Sequence, residues 1–159
     1  PSISPSMDIQ VSSNFERALY YAYGSDGAAI AQQMDELKQS GAFTVSQGAI
    51  SALRDTFASG RASEGETAAA ITRYHADHDE LLCPHSAVGV HVAEGHLGAT
   101  PMITLATAHP AKFPNAVEAA SGVFPALPAR MADLFERDER ITRVTGGVSA
   151  IKTIIKDRI

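Results

Sequence analysis

Thr107-Ala108-His109 is the stretch of this chain whose residue types and spacing could do chemistry. The apolar run 101–106 reads as a buried strand, and Thr107-Ala108-His109 as its polar exit. A helix is predicted from Lys112 onward, with Pro110 near its first turn. Open α/β sheets bind ligands at such strand exits. The loop offers a fixed hydroxyl, and the helix start offers unpaired N–H groups to an anion. Taken alone, the pattern also fits an ordinary strand and helix, with Thr107 capping the turn or bonding the backbone.

A second constellation is His75, His78, Cys83 and His85, with His91 and His96 beyond. Imidazole and thiolate are zinc ligands, and two histidines three apart share a helical face. The paired ligand spacing of a structural zinc site is missing, so no metal ligand is assigned. A Ser-His-Asp site would need a nucleophile turn such as GxSxG, which does not occur. Phosphate-loop and dinucleotide glycine patterns are missing too, since AVGVHVAEG at 87–95 has neither spacing. Cys83, in LLCPHS, lacks the local signature of a thiol nucleophile and reads as a small apolar neighbour of Leu81-Leu82.

The elements that must position these residues follow from periodicity and caps. A short strand is predicted at 7–11. Ser13 with Glu16 has the form of a capping box, opening a helix through Phe15, Ala18, Leu19, Ala22 and Tyr23. A second helix covers 27–39, with Ile30, Met34 and Leu37 inward and Gly41 as its C-cap. A short strand at 43–45 precedes a helix capped by Ser46, with Ile50, Leu53 and Phe57 on one face and Gly60 at its end. Ser63 and Glu66 suggest another capping box, for a helix carrying Ala68, Ile71 and Tyr74 inward and fraying into HADHDE. Ser86 to Glu94 is a helix entered through Pro84-His85. The tail adds a helix over 128–137, a strand at 141–144 and an amphipathic helix over 148–156. Few strands among many helices predict part of a three-layer α/β domain.

The 159 residues suffice for one core, and 18 acidic against 13 basic residues give a formal charge of -5. With no basic cluster, nucleic acid is not an expected partner. No apolar run reaches the roughly 18 residues of a membrane helix, so no membrane partner is expected. The lone Cys83 cannot form an internal disulfide, and a cytoplasmic location is expected.

Residues 101–122, PMITLATAHPAKFPNAVEAASG, resemble the C-terminal part of threonine synthase of the bacterial and fungal type, a pyridoxal-phosphate enzyme of fold type II. Three more blocks agree in the family's order: SPSMDIQVSSNFERALYY at 4–21, LLCPHSAVG at 81–89 and ALPARMADLFERDERITRV at 126–144. The resemblance implies that 1–159 is a single C-terminal fragment of a larger enzyme, and the chain's start at PSISPSMD without Met fits that. It implies a partial three-layer α/β domain, helix-rich with few strands. The Schiff-base lysine, the asparagine beside the ring hydroxyl and the glycine-rich phosphate cradle are then expected in an upstream N-terminal portion. No catalytic residue is assigned here, and the fragment alone is expected to be inactive. Thr107 is the implied neutral partner of the cofactor's pyridine nitrogen, with Thr104 as a fallback hydroxyl. The implied reaction is a β,γ-replacement converting O-phospho-L-homoserine and water to L-threonine and phosphate. Asn14 and Arg17, one turn apart on a helix opened by Ser12 and Ser13, are candidate phosphate contacts, and Lys112 a further positive charge. His85 and Ser86 are expected only to shape a neighbouring turn. Two other readings stand beside this one: an anion-binding module without turnover, and a metal-stabilised structural or interaction domain using the histidines.

Overall fold

The computed structural model describes residues 2–9 and 11–158. The chain divides into two compact units, Pro1–Ala126 and Leu127–Ile159. Among the described residues the first holds the α-helices α1 (Ser13–Ala22), α2 (Gly27–Ser40), α3 (Gln47–Arg54), α4 (Glu64–His78), α5 (Pro84–Glu94) and α6 (Pro114–Ser121). The second holds α7 (Val148–Lys156), preceded by single 3-10 turns at Ala129–Met131 and Leu134–Glu136.

Helix starts follow the side chains that can satisfy free N–H groups. Asp26 accepts from Ala28 and Ala29, and Ser46 accepts from Ala49. Ser63 and Glu66 form the reciprocal capping box expected of them. That bond network also lowers the Glu66 pKa, chiefly through the Ser63 N–H. The cap of α1 is Ser12, which accepts from Phe15, so Ser13 is already inside the helix and the capping box read there does not form. Gly41 ends α2 with φ 76°, the left-handed conformation that glycine adopts without strain.

The main core lies where α4 packs on α5 and α6. Ala70, Ile71 and Ala87 are buried together, with Leu82 and Ala120 against them. Small residues let the helix backbones approach, and the Thr72 hydroxyl donates to the Ala120 carbonyl at 2.6 Å across the α4–α6 contact. Arg73 and Glu94 pair at 2.5 Å between α4 and α5. A second packing joins α1 to α2 and α3, with Leu19 fully buried. There Gln33 is buried and donates to the Tyr23 hydroxyl, which also takes the Ser46 N–H at 2.8 Å.

Among the described residues no strand ladder forms, so none of the four candidate strands is paired. Residues 5–7 make a 3-10 turn where a strand was expected from Met7; Gln10, within that expectation, lies outside the described residues. The run 101–106 carries no regular structure and leaves Ile103 82% and Leu105 75% exposed. The physical reason is that a strand is completed by its neighbours' hydrogen bonds, and the described residues offer none beside it. The helix expected from Lys112 is split into a 3-10 turn, Pro110–Lys112, and α6, because Pro114 restarts the helix at its first position. The 128–137 helix is likewise reduced to the two 3-10 turns, and α3 ends at Arg54, short of Gly60. α7 spans the predicted residues.

Candidate cofactor and substrate site

The first turn of α5 organises the surroundings of Thr107. Cys83 caps the helix and Pro84 takes its first position, which sets His85 and Ser86 on the buried side of that turn. Ser86 is 3% exposed, and its N–H donates to Cys83 Sγ at 3.4 Å. Its Oγ lies 3.2 Å from the same sulfur and accepts the Thr107 N–H at 3.2 Å. The 101–106 segment meets α5 at Gly89, where a Cβ would stand 3.2 Å from the Thr104 methyl carbon. Thr104 therefore packs by its methyl group against α5.

Thr107 is exposed, its backbone is held by Ser86, and among the described residues its hydroxyl has no hydrogen-bond partner. The turn after it is capped by another residue, because His109 Nδ1 accepts the Ala111 N–H at 3.2 Å. A pinned backbone with a free hydroxyl is what a neutral donor to a ring nitrogen requires. The residues present therefore fit the pyridine edge of pyridoxal phosphate.

Beside this loop His85 is 4% exposed. Its Nδ1 lies 2.5 Å from the buried Ser4 hydroxyl, its ring meets Phe113 edge-on at 4.5 Å, and Nε2 has no hydrogen-bond partner among the described residues. Burial lowers the His85 pKa from its ordinary 6.5, the Lys112 charge lowers it further, and Asp8 opposes both. The imidazole is thus held neutral at neutral pH. Lys112 is exposed, with its ammonium 5.9 Å from the Phe113 ring centre.

Asn14 and Arg17 are paired on the exposed face of α1, with Arg17 Nη2 donating to Asn14 Oδ1 at 2.7 Å. They line different hollows. Asn14 borders a cavity of about 760 Å³ walled mainly by Phe15, Phe43, Ile50 and Phe57. Arg17 borders one of about 490 Å³ shared with Glu16 and Tyr20. Among the described residues no hydrogen bond or ion pair links this pair to the Thr107–Ser86 group.

Among the described residues no three His, Cys, Asp or Glu side chains converge as a metal site. His78 packs against Tyr74 with the rings tilted and their centres 4.6 Å apart, and Cys83 serves Ser86. The sequence reading gave Ser86 and His85 only a turn-shaping part and gave Ser4 none. The signal for Ser86 was present in Cys-Pro-His-Ser, which places a cap, a first-position proline and then a first-turn serine.

The fold is that of the C-terminal part of a fold type II enzyme. The whole chain superposes on the X-ray crystal structure of PLP-bound threonine synthase from Brucella melitensis with a TM-score of 0.81 and 49% identity, covering 99% of this chain and 34% of that one. Threonine synthase from yeast gives a TM-score of 0.74 at 31% identity, over 99% of this chain and 36% of that chain. Threonine synthase of Pseudomonas aeruginosa is 44% identical over 158 residues, 98% of this chain and 34% of its own length. Residues 86–155 match the family model for the C-terminal region of threonine synthase. In sequence and in fold the chain corresponds to the C-terminal portion of the threonine synthase family. It spans about a third of the length of the curated relatives it matches.

Proposed function

We propose that this chain is the C-terminal part of a pyridoxal-phosphate-dependent threonine synthase, a lyase acting on phosphate that converts O-phospho-L-homoserine and water to L-threonine and phosphate. The observation that carries this reading is Thr107, backbone-anchored with a hydroxyl that is free among the described residues, on the extended segment just before the Pro110–Lys112 turn. When bound, pyridoxal phosphate supplies an electron sink for the substrate α-carbon. Thr107 donates a neutral hydrogen bond to the ring nitrogen and leaves it unprotonated, which moderates that sink. Arg17, oriented by Asn14, presents a planar fork suited to the substrate phosphate, and Lys112 adds a second positive charge near the loop. His85, neutral and buried, fills the space behind the loop and takes no proton-transfer step.

The catalytic lysine, the ring-hydroxyl asparagine and the glycine-rich phosphate cradle belong to an N-terminal portion of the same enzyme. The exposed apolar residues Met102, Ile103 and Leu105, on the segment leading to Thr107, support a surface that such a portion covers. The fragment alone is inactive on this reading. No nucleic acid or membrane takes part; no helix among the described residues is long and apolar enough to cross a membrane. The lone, buried Cys83 supports a cytoplasmic setting.

The test supplies O-phospho-L-homoserine to the longer polypeptide carrying this segment and, separately, to this chain. Phosphate and L-threonine in equal amounts from the first, and neither from the second, are expected. A folded, cofactor-loaded longer polypeptide that releases phosphate without threonine, or neither product, overturns the proposal.

A further inference from the structure

We infer that Ser86 is a positioning residue that aims the Thr107 hydroxyl at the cofactor ring. This rests on the cofactor reading proposed above and extends it to a buried residue that acts through the Thr107 backbone.

Three observations carry it. The Ser86 hydroxyl is buried, yet it accepts a backbone N–H twenty-one residues away, that of Thr107. Among the described residues no other hydrogen bond holds the Thr107 backbone, and the neighbouring His109 side chain caps the following turn instead. The serine is itself fixed from two sides, by Cys83 Sγ on its hydroxyl and by the same sulfur on its N–H. The path Cys83–Ser86–Thr107 therefore ties an exposed loop to the first turn of a helix packed in the main core.

A hydroxyl that must meet a ring nitrogen within hydrogen-bond distance gains from having its backbone fixed beforehand, since otherwise binding has to order the loop. With Ser86→Ala, the Thr107 N–H loses its partner, the loop samples other positions, and the donor reaches the ring nitrogen for only part of the time.

The experiment is a double-mutant cycle in the longer polypeptide, using Ser86→Ala, Thr107→Val and the two together. It reads the dissociation constant of pyridoxal phosphate and the absorption spectrum of the bound cofactor. One hydrogen bond acting through the loop predicts that S86A weakens binding about three- to tenfold and shifts the spectrum in the direction that T107V does. In the T107V background, S86A is expected to add nothing to either readout. Equal cost in both backgrounds means that Ser86 is merely structural and overturns the inference, as does no cost in either. If T107V leaves both binding and spectrum unchanged, the cofactor role of Thr107 falls and the inference falls with it; additivity with an effective T107V sinks only the inference. Should S86A not fold, Ser86→Cys keeps the side-chain volume with a weaker acceptor, and the same cycle is read on it.

Discussion

Ile71 offers the sharpest test of how the first unit is held together. It is fully buried at the α4–α5–α6 contact, beside Ala70 and Ala87, with Leu82 and Ala120 packed on the cluster. Ile71→Ala removes three carbons from that site. Buried Ile→Ala changes cost about 2–5 kcal/mol, depending on how far the surroundings collapse. Alanines have no rotamer to swing into the void, so Leu82 alone can refill it, and the cost is placed at about 3–4 kcal/mol. With a urea m-value of about 2 kcal/mol/M, the midpoint falls by roughly 1.5–2 M. The chain has four tyrosines and no tryptophan, and all four lie in the first unit, so tyrosine fluorescence in urea reports that unit specifically. Ile71→Val should cost about 0.5–1.5 kcal/mol. Ile151→Ala, on an exposed position of α7 in the second unit, should leave the tyrosine midpoint unchanged. A shift below about 0.5 M for Ile71→Ala would refute the assigned core.

Ser63→Ala removes one half of the α4 capping box; it should cost about 1 kcal/mol in urea unfolding and, by NMR titration, raise the Glu66 pKa only part of the way, leaving it below its ordinary 4.5 because the residue 63 N–H still donates to the carboxylate. Because the folded Glu66 pKa is depressed, its contribution is present above the unfolded value and is lost as pH falls through the folded one. For His85 the folded pKa lies below 6.5, so the unfolded chain binds the proton first and stability falls as pH drops through 6.5 toward the folded value. His85→Gln should flatten that slope, and an imidazole that titrates at or above 6.5 by NMR would contradict the assignment. Ile103→Ser is expected to change the stability of this chain by no more than about 0.5 kcal/mol. In the longer polypeptide the same change should cost about 2 kcal/mol or more, because the N-terminal portion is proposed to cover that surface.

Legibility tracked the range of the interaction involved. Caps at Ser46, Ser63 and Gly41 and the span of α7 were readable because their partners lie within a few residues. The strands were not, because residues 101–106 need hydrogen bonds from elsewhere to become one. Apolar composition told of burial there, while within this chain Ile103 and Leu105 face outward. At the site, residue types marked Thr107, and the resemblance supplied its role. Its anchor on Ser86 spans twenty-one residues and leaves no periodic trace. The Asn14–Arg17 pair was legible from helical spacing, whereas the different hollows they line depend on how α1 packs against α2 and α3.

The central claim is that the Thr107 hydroxyl serves a neutral ring nitrogen. The ¹⁵N chemical shift of ring-labelled pyridoxal phosphate bound to the longer polypeptide measures this directly. An unprotonated, hydrogen-bonded nitrogen whose shift moves on Thr107→Val is the predicted result; a protonated pyridinium, or a shift indifferent to Thr107→Val, would contradict it.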